Sequence, residues 1–226
     1  MVTSEELELV FMKAASNYFH FDKVVAEFAP FRDLKIRWVR TYNTIGFTVS
    51  DYLEEAPVGV IEDIADGIFS RIFKEEHEGY PERTSEWLCS HGFRVLNQER
   101  YIERSRTVDL DTADAGRLWD SYRRLVSDNL IGEIEDLKLF WSRGESVAKA
   151  GQSSCLMKVV IMNRRFLDAK VPEEVLDYCL LHELANVSVP FGSFGIERRR
   201  EVNEIADGFA GAEKAKRWLD QVMMEV

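Results

Sequence analysis

Residues that bind metals or form disulfides are scarce in this chain. It holds three cysteines, Cys89, Cys155 and Cys179, and four histidines, none of them after His182. Three dispersed cysteines exclude a disulfide framework and a CxxC zinc clip. No apolar run approaches the ~20 residues of a membrane-crossing helix, and the acidic amino terminus is unlike a signal peptide, so a cytoplasmic location is expected. Basic charge is also short: 29 Lys and Arg against 40 Asp and Glu give a formal net charge of -11. Phosphate binding rests on basic surface, so direct nucleic-acid or acidic-lipid binding is disfavoured. The basic clusters Arg123-Arg124 and Arg198-Arg199-Arg200 read as solvated helix faces. What remains, 46% hydrophobic and 31% charged residues, suits a soluble globular chain able to bury a core.

Thr3-Ser4-Glu5-Glu6 reads as a capping box before Leu7, Val10, Phe11 and Ala14 at helical spacing. A second helical piece is expected over Phe21–Phe28, then strands over Asp33–Val39 and Ile45–Val49 around a turn at Asn43. Pro57 opens an amphipathic helix through Val60, Ile61, Ile64, Ala65, Ile68, Phe69 and Ile72, ended by Glu75-Glu76-His77-Glu78-Gly79. A short helix follows over Pro81–Cys89, and Phe93–Leu96 and Tyr101–Val108 read as strands. Asp111-Thr112 caps a helix with the stripe Leu118, Trp119, Tyr122, Leu125 and Val126. Leu137–Trp141 and Leu156–Met162 read as strands separated by a loop over Ser142–Ser154. The last helix is expected over Ala212–Met223, after a break at Gly192-Ser193-Phe194-Gly195.

This order repeats. Asp33-Leu34-Lys35-Ile36-Arg37-Trp38 matches Asp136-Leu137-Lys138-Leu139-Phe140-Trp141, and Pro57-x-x-Val60-Ile61 matches Pro172-x-x-Val175-Leu176. The expected fold is α+β, with two repeated half-modules over residues 1–110 and 111–226, each a small sheet with a helix packed on it.

The chemistry concentrates in Val171–Pro190. Pro172 starts a helix, and Glu173 and Glu174 sit in its first turn, where the macrodipole favours acid. Within it, His182-Glu183-Leu184-Ala185-Asn186 is one residue short of H-E-x-x-H. In that motif, ligands at i and i+4 share a helix face and the Glu takes a proton from metal-bound water. Asn186 supplies an amide where an imidazole belongs. Counting 115 back from His182, Glu183 and Asn186 gives Gly67, Ile68 and Arg71, so the first half carries no trace of the site. Cys179, one turn before His182, raises the thought of a Cys-His nucleophile; a small apolar core residue is the better reading. His77 and His91, with Glu75, Glu76 and Cys89, fit no zinc template.

The stretch from Leu156 to Leu219 resembles the SprT-like (YgjP-like) zinc metallopeptidases of the zincin, or gluzincin, class. The matching residues are the apolar strand, Val171-Pro172-Glu173-Glu174-Val175-Leu176-Asp177-Tyr178, His182-Glu183-Leu184, Pro190, and the closing Phe209, Glu213, Ala215 and Trp218-Leu219. The resemblance implies a zincin-like fold in which His182 matches the first zinc ligand and Glu183 the general base. Asn186 stands at the second ligand, and the third falls near Gly192 or near Arg198 and Arg199. A catalytically degenerate peptidase follows, one without bound zinc and with no other cofactor, which keeps the cleft beside the sheet edge to hold a polypeptide or partner subunit. The rival expectation is an active zinc peptidase with unusual ligands, with Glu197, Glu201 or Glu204 completing the site. Direct nucleic-acid and membrane partners are not expected; an oligomer is open.

Overall fold

The capping box forms. Thr3 Oγ1 accepts from Glu6 N at 3.2 Å and Thr3 N donates to Glu6 Oε2 at 2.9 Å, starting α1 (Ser4–Ser16). The computed structural model describes residues 1–74, 79–105, 107–109, 115–146, 149–191 and 196–224. The chain is mixed α+β and divides into two units, Met1–Arg104 and Ser105–Val226. No helix among the described residues is long and apolar enough to cross a membrane.

In the first unit α1 is followed by β1 (Lys23–Ala29), β2 (Ile36–Thr41), β3 (Thr44–Ser50), α2 (Val58–Ile72), α3 (Glu82–Cys89) and α4 (His91–Arg104). β1 corrects the helix expected over Phe21–Phe28. Lys, Ala and Glu favour helix locally, but Val24 and Ala26 alternate into the core and the segment pairs parallel with β3, Lys23 against Thr44. Tertiary pairing overrides propensity here. α4 corrects the strand expected over Phe93–Leu96 and the first part, to Arg104, of the one expected over Tyr101–Val108, whose last residue does lie in a strand. Its buried face combines Phe93, Asn97 and Tyr101 with Arg94, Gln98 and Ile102, each row at four-residue spacing. Half of that face is polar and satisfied internally, as when Asn97 Nδ2 donates to Tyr52 O at 3.3 Å, so a hydrophobicity pattern does not reveal the helix.

The second unit runs β4 (Val108–Asp109), α5 (Ala115–Ser127), β5 (Lys138–Ser142), β6 (Gly151–Ser154), β7 (Val159–Met162), α6 (Glu173–Ser188), α7 (Ile196–Asp207) and α8 (Ala212–Met224). The pairing of β4 with β5 places Val108 and Asp109 in this unit's sheet. β6 lies inside the segment expected to be a loop, Ser142–Ser154, and the first half of the expected strand Leu156–Met162 is a turn. The Asp111-Thr112 cap, Glu75–Glu78 and the Gly192–Gly195 break lie outside the described residues. All four residues of β7 are buried, as suits an inner strand. α6 is the hub. It packs against α5, α7, α8, β6 and β7, and Leu176, Leu180, Leu181 and Leu184 meet Trp141, Val160, Met162 and Phe166 in one core. A polar clamp ties it to α5: Asp177 accepts from Ser121 Oγ at 2.5 Å and from Arg124 Nη2 at 2.7 Å.

The sheet orders are β1-β3-β2 and β4-β5-β7-β6. In each, the first long strand runs parallel to the third, while the middle one in sequence lies outermost and antiparallel. One offset of 115 relates the parallel pairs and the helix starts (138 minus 23, 159 minus 44, 172 minus 57). It also aligns the buried rows Val60, Ile61, Ile64, Ala65 and Phe69 of α2 with Val175, Leu176, Cys179, Leu180 and Leu184 of α6. The hexapeptide match DLKIRW with DLKLFW pairs different strands, since Ile36–Trp38 starts the outer β2 whereas Lys138–Trp141 is the inner β5.

Candidate functional site

α6 carries its one acid–imidazole pair, His182-Glu183, next to the outer strand β6. Glu183 is largely buried, and its Oε2 accepts a hydrogen bond from Ser153 Oγ of β6 at 2.6 Å. Burial pushes the Glu183 carboxyl above its ordinary range, against the opposing pull of Ser153 and of the nearby His182 and Lys149. The approach of β6 to α6 depends on Gly151. A Cβ there would lie 2.9 Å from Met162 Sδ, 3.0 Å from Glu183 Cγ and 3.2 Å from Ile161 O. Ser153 and Gly151 both fall in the segment read as loop, so sequence reasoning missed them; the clue was its small-residue composition next to an apolar strand.

His182 is half-buried, and its imidazole has no hydrogen-bond partner among the described residues. Asn186 does not turn its amide nitrogen toward the imidazole ring. Its Nδ2 donates to the backbone carbonyl of His182 at 3.2 Å, one turn back along the same helix. His182, Glu183 and Asn186 therefore share a helix without forming a hydrogen-bonded triad.

Arg198 of α7 reaches back to the carboxyl end of α6. Its Nη1 donates to Val189 O at 2.8 Å and Pro190 O at 2.7 Å, and its Nη2 donates to Asn186 O. Lys158, in the left-handed region at φ 50°, donates from Nζ to Val187 O at 2.7 Å. Two cations thus satisfy carbonyls that the last turn of α6 leaves without helical partners, at the end where the dipole favours positive charge. The region in which the resemblance puts a third ligand holds a guanidinium engaged as a helix cap. The other register, near Gly192, lies outside the described residues.

The carboxylates proposed for an unusual zinc site stand apart from His182. Glu197 and Glu204 are exposed, Glu201 is half-exposed, and Glu204 pairs with Arg200 at 3.2 Å. Among the described residues, no group of three His, Cys, Asp or Glu ligand atoms within mutual reach includes His182. What surrounds it instead is a pocket of about 310 Å³ lined by His182, Asn186, Arg198, Arg199, Val202 and Asn203. One imidazole, one committed amide and two guanidinium groups do not make the three or four donor ligands that zinc takes. Cys179 is buried, and burial, with the charge of Glu183 adding to it, pushes its thiol up to about 12. That leaves no thiolate for nucleophilic work.

No protein-family model, no curated protein sequence and no solved structure matches this chain.

Proposed function

We propose that the chain is a catalytically degenerate, metallopeptidase-like protein that holds a polypeptide, or a segment of a partner subunit, as an added strand on β6. The observation that carries this reading is the capture of Arg198 by the end of α6. A fixed cation takes the place of a third metal ligand, so His182 is left as a lone imidazole and Glu183 has no metal-bound water to activate. Glu183 instead holds β6 through Ser153, which keeps the outer strand aligned beside the helix. An outer antiparallel strand offers backbone donors and acceptors to an extended peptide. On this reading the fold is zincin-like, the location is cytoplasmic, and no cofactor is bound.

The common strand order, the shared 115-residue offset and the matched buried rows of α2 and α6 support an origin by internal duplication. Gly67 and Ile68 in the first unit replace His182 and Glu183, so the chemistry belonged to the second unit alone.

Two measurements on untagged protein test the reading. Metal analysis is expected to give well under one zinc per chain, with the same melting temperature with and without chelator. An acetylated, amidated octapeptide of alternating Thr and Val is expected to bind, and N-methylation of alternate peptide amides to abolish binding, because strand addition needs those N–H groups. Stoichiometric zinc, with casein turnover lost on chelation and in Glu183→Gln, establishes the rival peptidase instead.

A further inference from the structure

We propose that the pocket beside His182 binds a carboxylate carried by the polypeptide that β6 holds. The proposal rests on the strand-addition reading and adds the chemistry of the bound residue. Four polar side chains of one kind of use converge on the pocket: His182 and Asn186 from α6, and Arg199 and Asn203 from α7, with Arg198 between them and Val202 as a buried apolar floor. Every one of the four can donate a hydrogen bond, and neither Asp nor Glu lines the pocket.

This is unusual in a chain of net charge -11, where acids outnumber bases. The nearby acids are placed elsewhere. Glu183 is bonded to Ser153, Glu204 is paired with Arg200, and Glu197 and Glu201 of α7 do not line the cavity. Arg198 is pinned by three carbonyls, so its charge is fixed in position with no entropy left to lose on binding. Arg199 has no hydrogen-bond or ion-pair partner among the described residues and is available to a ligand. About 310 Å³, at on the order of 30 Å³ per water, admits a carboxylate-bearing side chain or a chain terminus with several waters. Beside the buried Val202 surface, a charge-assisted hydrogen bond is stronger than in open water. His182 and Glu183 are adjacent on α6, about 100° apart around the helix, so the pocket begins one residue from the glutamate that fastens β6.

The test uses the full chain and three fluorescein-labelled octapeptides of alternating Thr and Val. The first has one central Glu and an amidated end, the second Gln in its place, and the third Gln with a free carboxyl terminus. Affinities are read by anisotropy. The Glu peptide, the free-carboxyl peptide or both are expected to bind about tenfold tighter than the neutral one, and which of them does so identifies the carboxylate source. Arg199→Ala and His182→Ala are each expected to remove that preference while leaving affinity for the neutral peptide unchanged. Equal binding of all three peptides, still abolished by N-methylation, overturns the carboxylate site and leaves strand addition standing. An acid preference that depends on Arg199 but survives N-methylation keeps the site and removes strand addition. No binding by any peptide up to about 1 mM overturns both.

Discussion

Arg198→Ala should weaken the second unit by loosening the carboxyl end of α6. The guanidinium donates to Asn186 O, Val189 O and Pro190 O, of which the Pro190 carbonyl belongs to an exposed residue that water reaches once the side chain is gone. The other two sit at a half-buried and a buried residue. A hydrogen bond from a charged donor contributes ~1.5–3 kcal/mol, less what solvent returns to the freed acceptor, so the pair gives about 2–4 kcal/mol. The interaction of the cation with the end of the helix is contained in that figure. Lys158→Ala removes one comparable bond to Val187 O and should cost about 1–2 kcal/mol. Arg198→Lys should recover less than half of the loss, because one ammonium cannot span three carbonyls as a planar fork does. Hydrogen exchange of α6 amides reads this unit without interference from the other, and the opening free energy should fall by these amounts. An Arg198→Ala protein within about 0.5 kcal/mol of wild type, or a lysine that restores it fully, refutes the capping argument and with it the observation on which the proposed function rests.

Four further outcomes are expected. The folded-state pKa of Glu183 is raised, so its contribution to stability is fully present only below the ordinary carboxyl value near 4.5 and is lost as pH rises through the folded value. Glu183→Gln should therefore gain on wild type in melting temperature between pH 4 and pH 8, and a difference that stays constant with pH contradicts the burial argument. Gly151→Ala should cost about 1–3 kcal/mol, since the Ile161 carbonyl at 3.2 Å cannot step aside as the Met162 sulfur can; a neutral result means that β6 is not held tightly against α6. Asn163 donates to Lys149 O at 2.8 Å and accepts from Arg165 N at 3.1 Å, so Asn163→Ala should speed hydrogen exchange of the segment leading into β6. Unchanged exchange there removes its ordering role. Exposed Cys89 should react with a thiol reagent at pH 8 while buried Cys179 stays unmodified until unfolding, and rapid labelling of Cys179 in the folded protein contradicts its placement.

Sequence patterns located the elements whose start signals are chemical: the Thr3–Glu6 box and the prolines before α2, α3 and α6. They failed where burial is carried by unexpected residue types. α4 hides its inward face behind Arg94, Asn97 and Gln98, and β6 is made of Gly, Gln and two Ser, a composition that reads as loop until a neighbouring strand supplies its hydrogen bonds. For the site, the departure of His182-Glu183-Leu184-Ala185-Asn186 from H-E-x-x-H was visible in one line of sequence. The partners around it were not, because Ser153, Lys158 and Arg198 lie 30, 25 and 15 residues from Glu183, and nothing local says that the first meets Glu183 or that the other two meet the end of α6 (183 minus 153; 183 minus 158; 198 minus 183).

The correspondence between the two units shows the same division between local pattern and pairing. The hexapeptides DLKIRW and DLKLFW are alike because both must enter a strand from a polar turn and place a tryptophan in or beside a sheet. One nevertheless forms the outer strand and the other an inner one. The offset of 115 is harder to meet by coincidence, because it preserves a register between two strands that are distant in sequence. Lys23 faces Thr44 and Lys138 faces Val159, and a slip of one residue in either pair would turn the buried row of its strand to the opposite face. The hairpin that adds the outer strand is free of that constraint. Its loop has two residues between Thr41 and Thr44 but four between Ser154 and Val159, a change of two that lengthens the turn while keeping each side chain on its own face. With that even difference, Ser153 pairs with Val160 as Arg40 pairs with Ile45 in the first unit. One outer strand therefore fastens a buried glutamate, whereas the other lays a guanidinium 4.9 Å from the Phe19 ring.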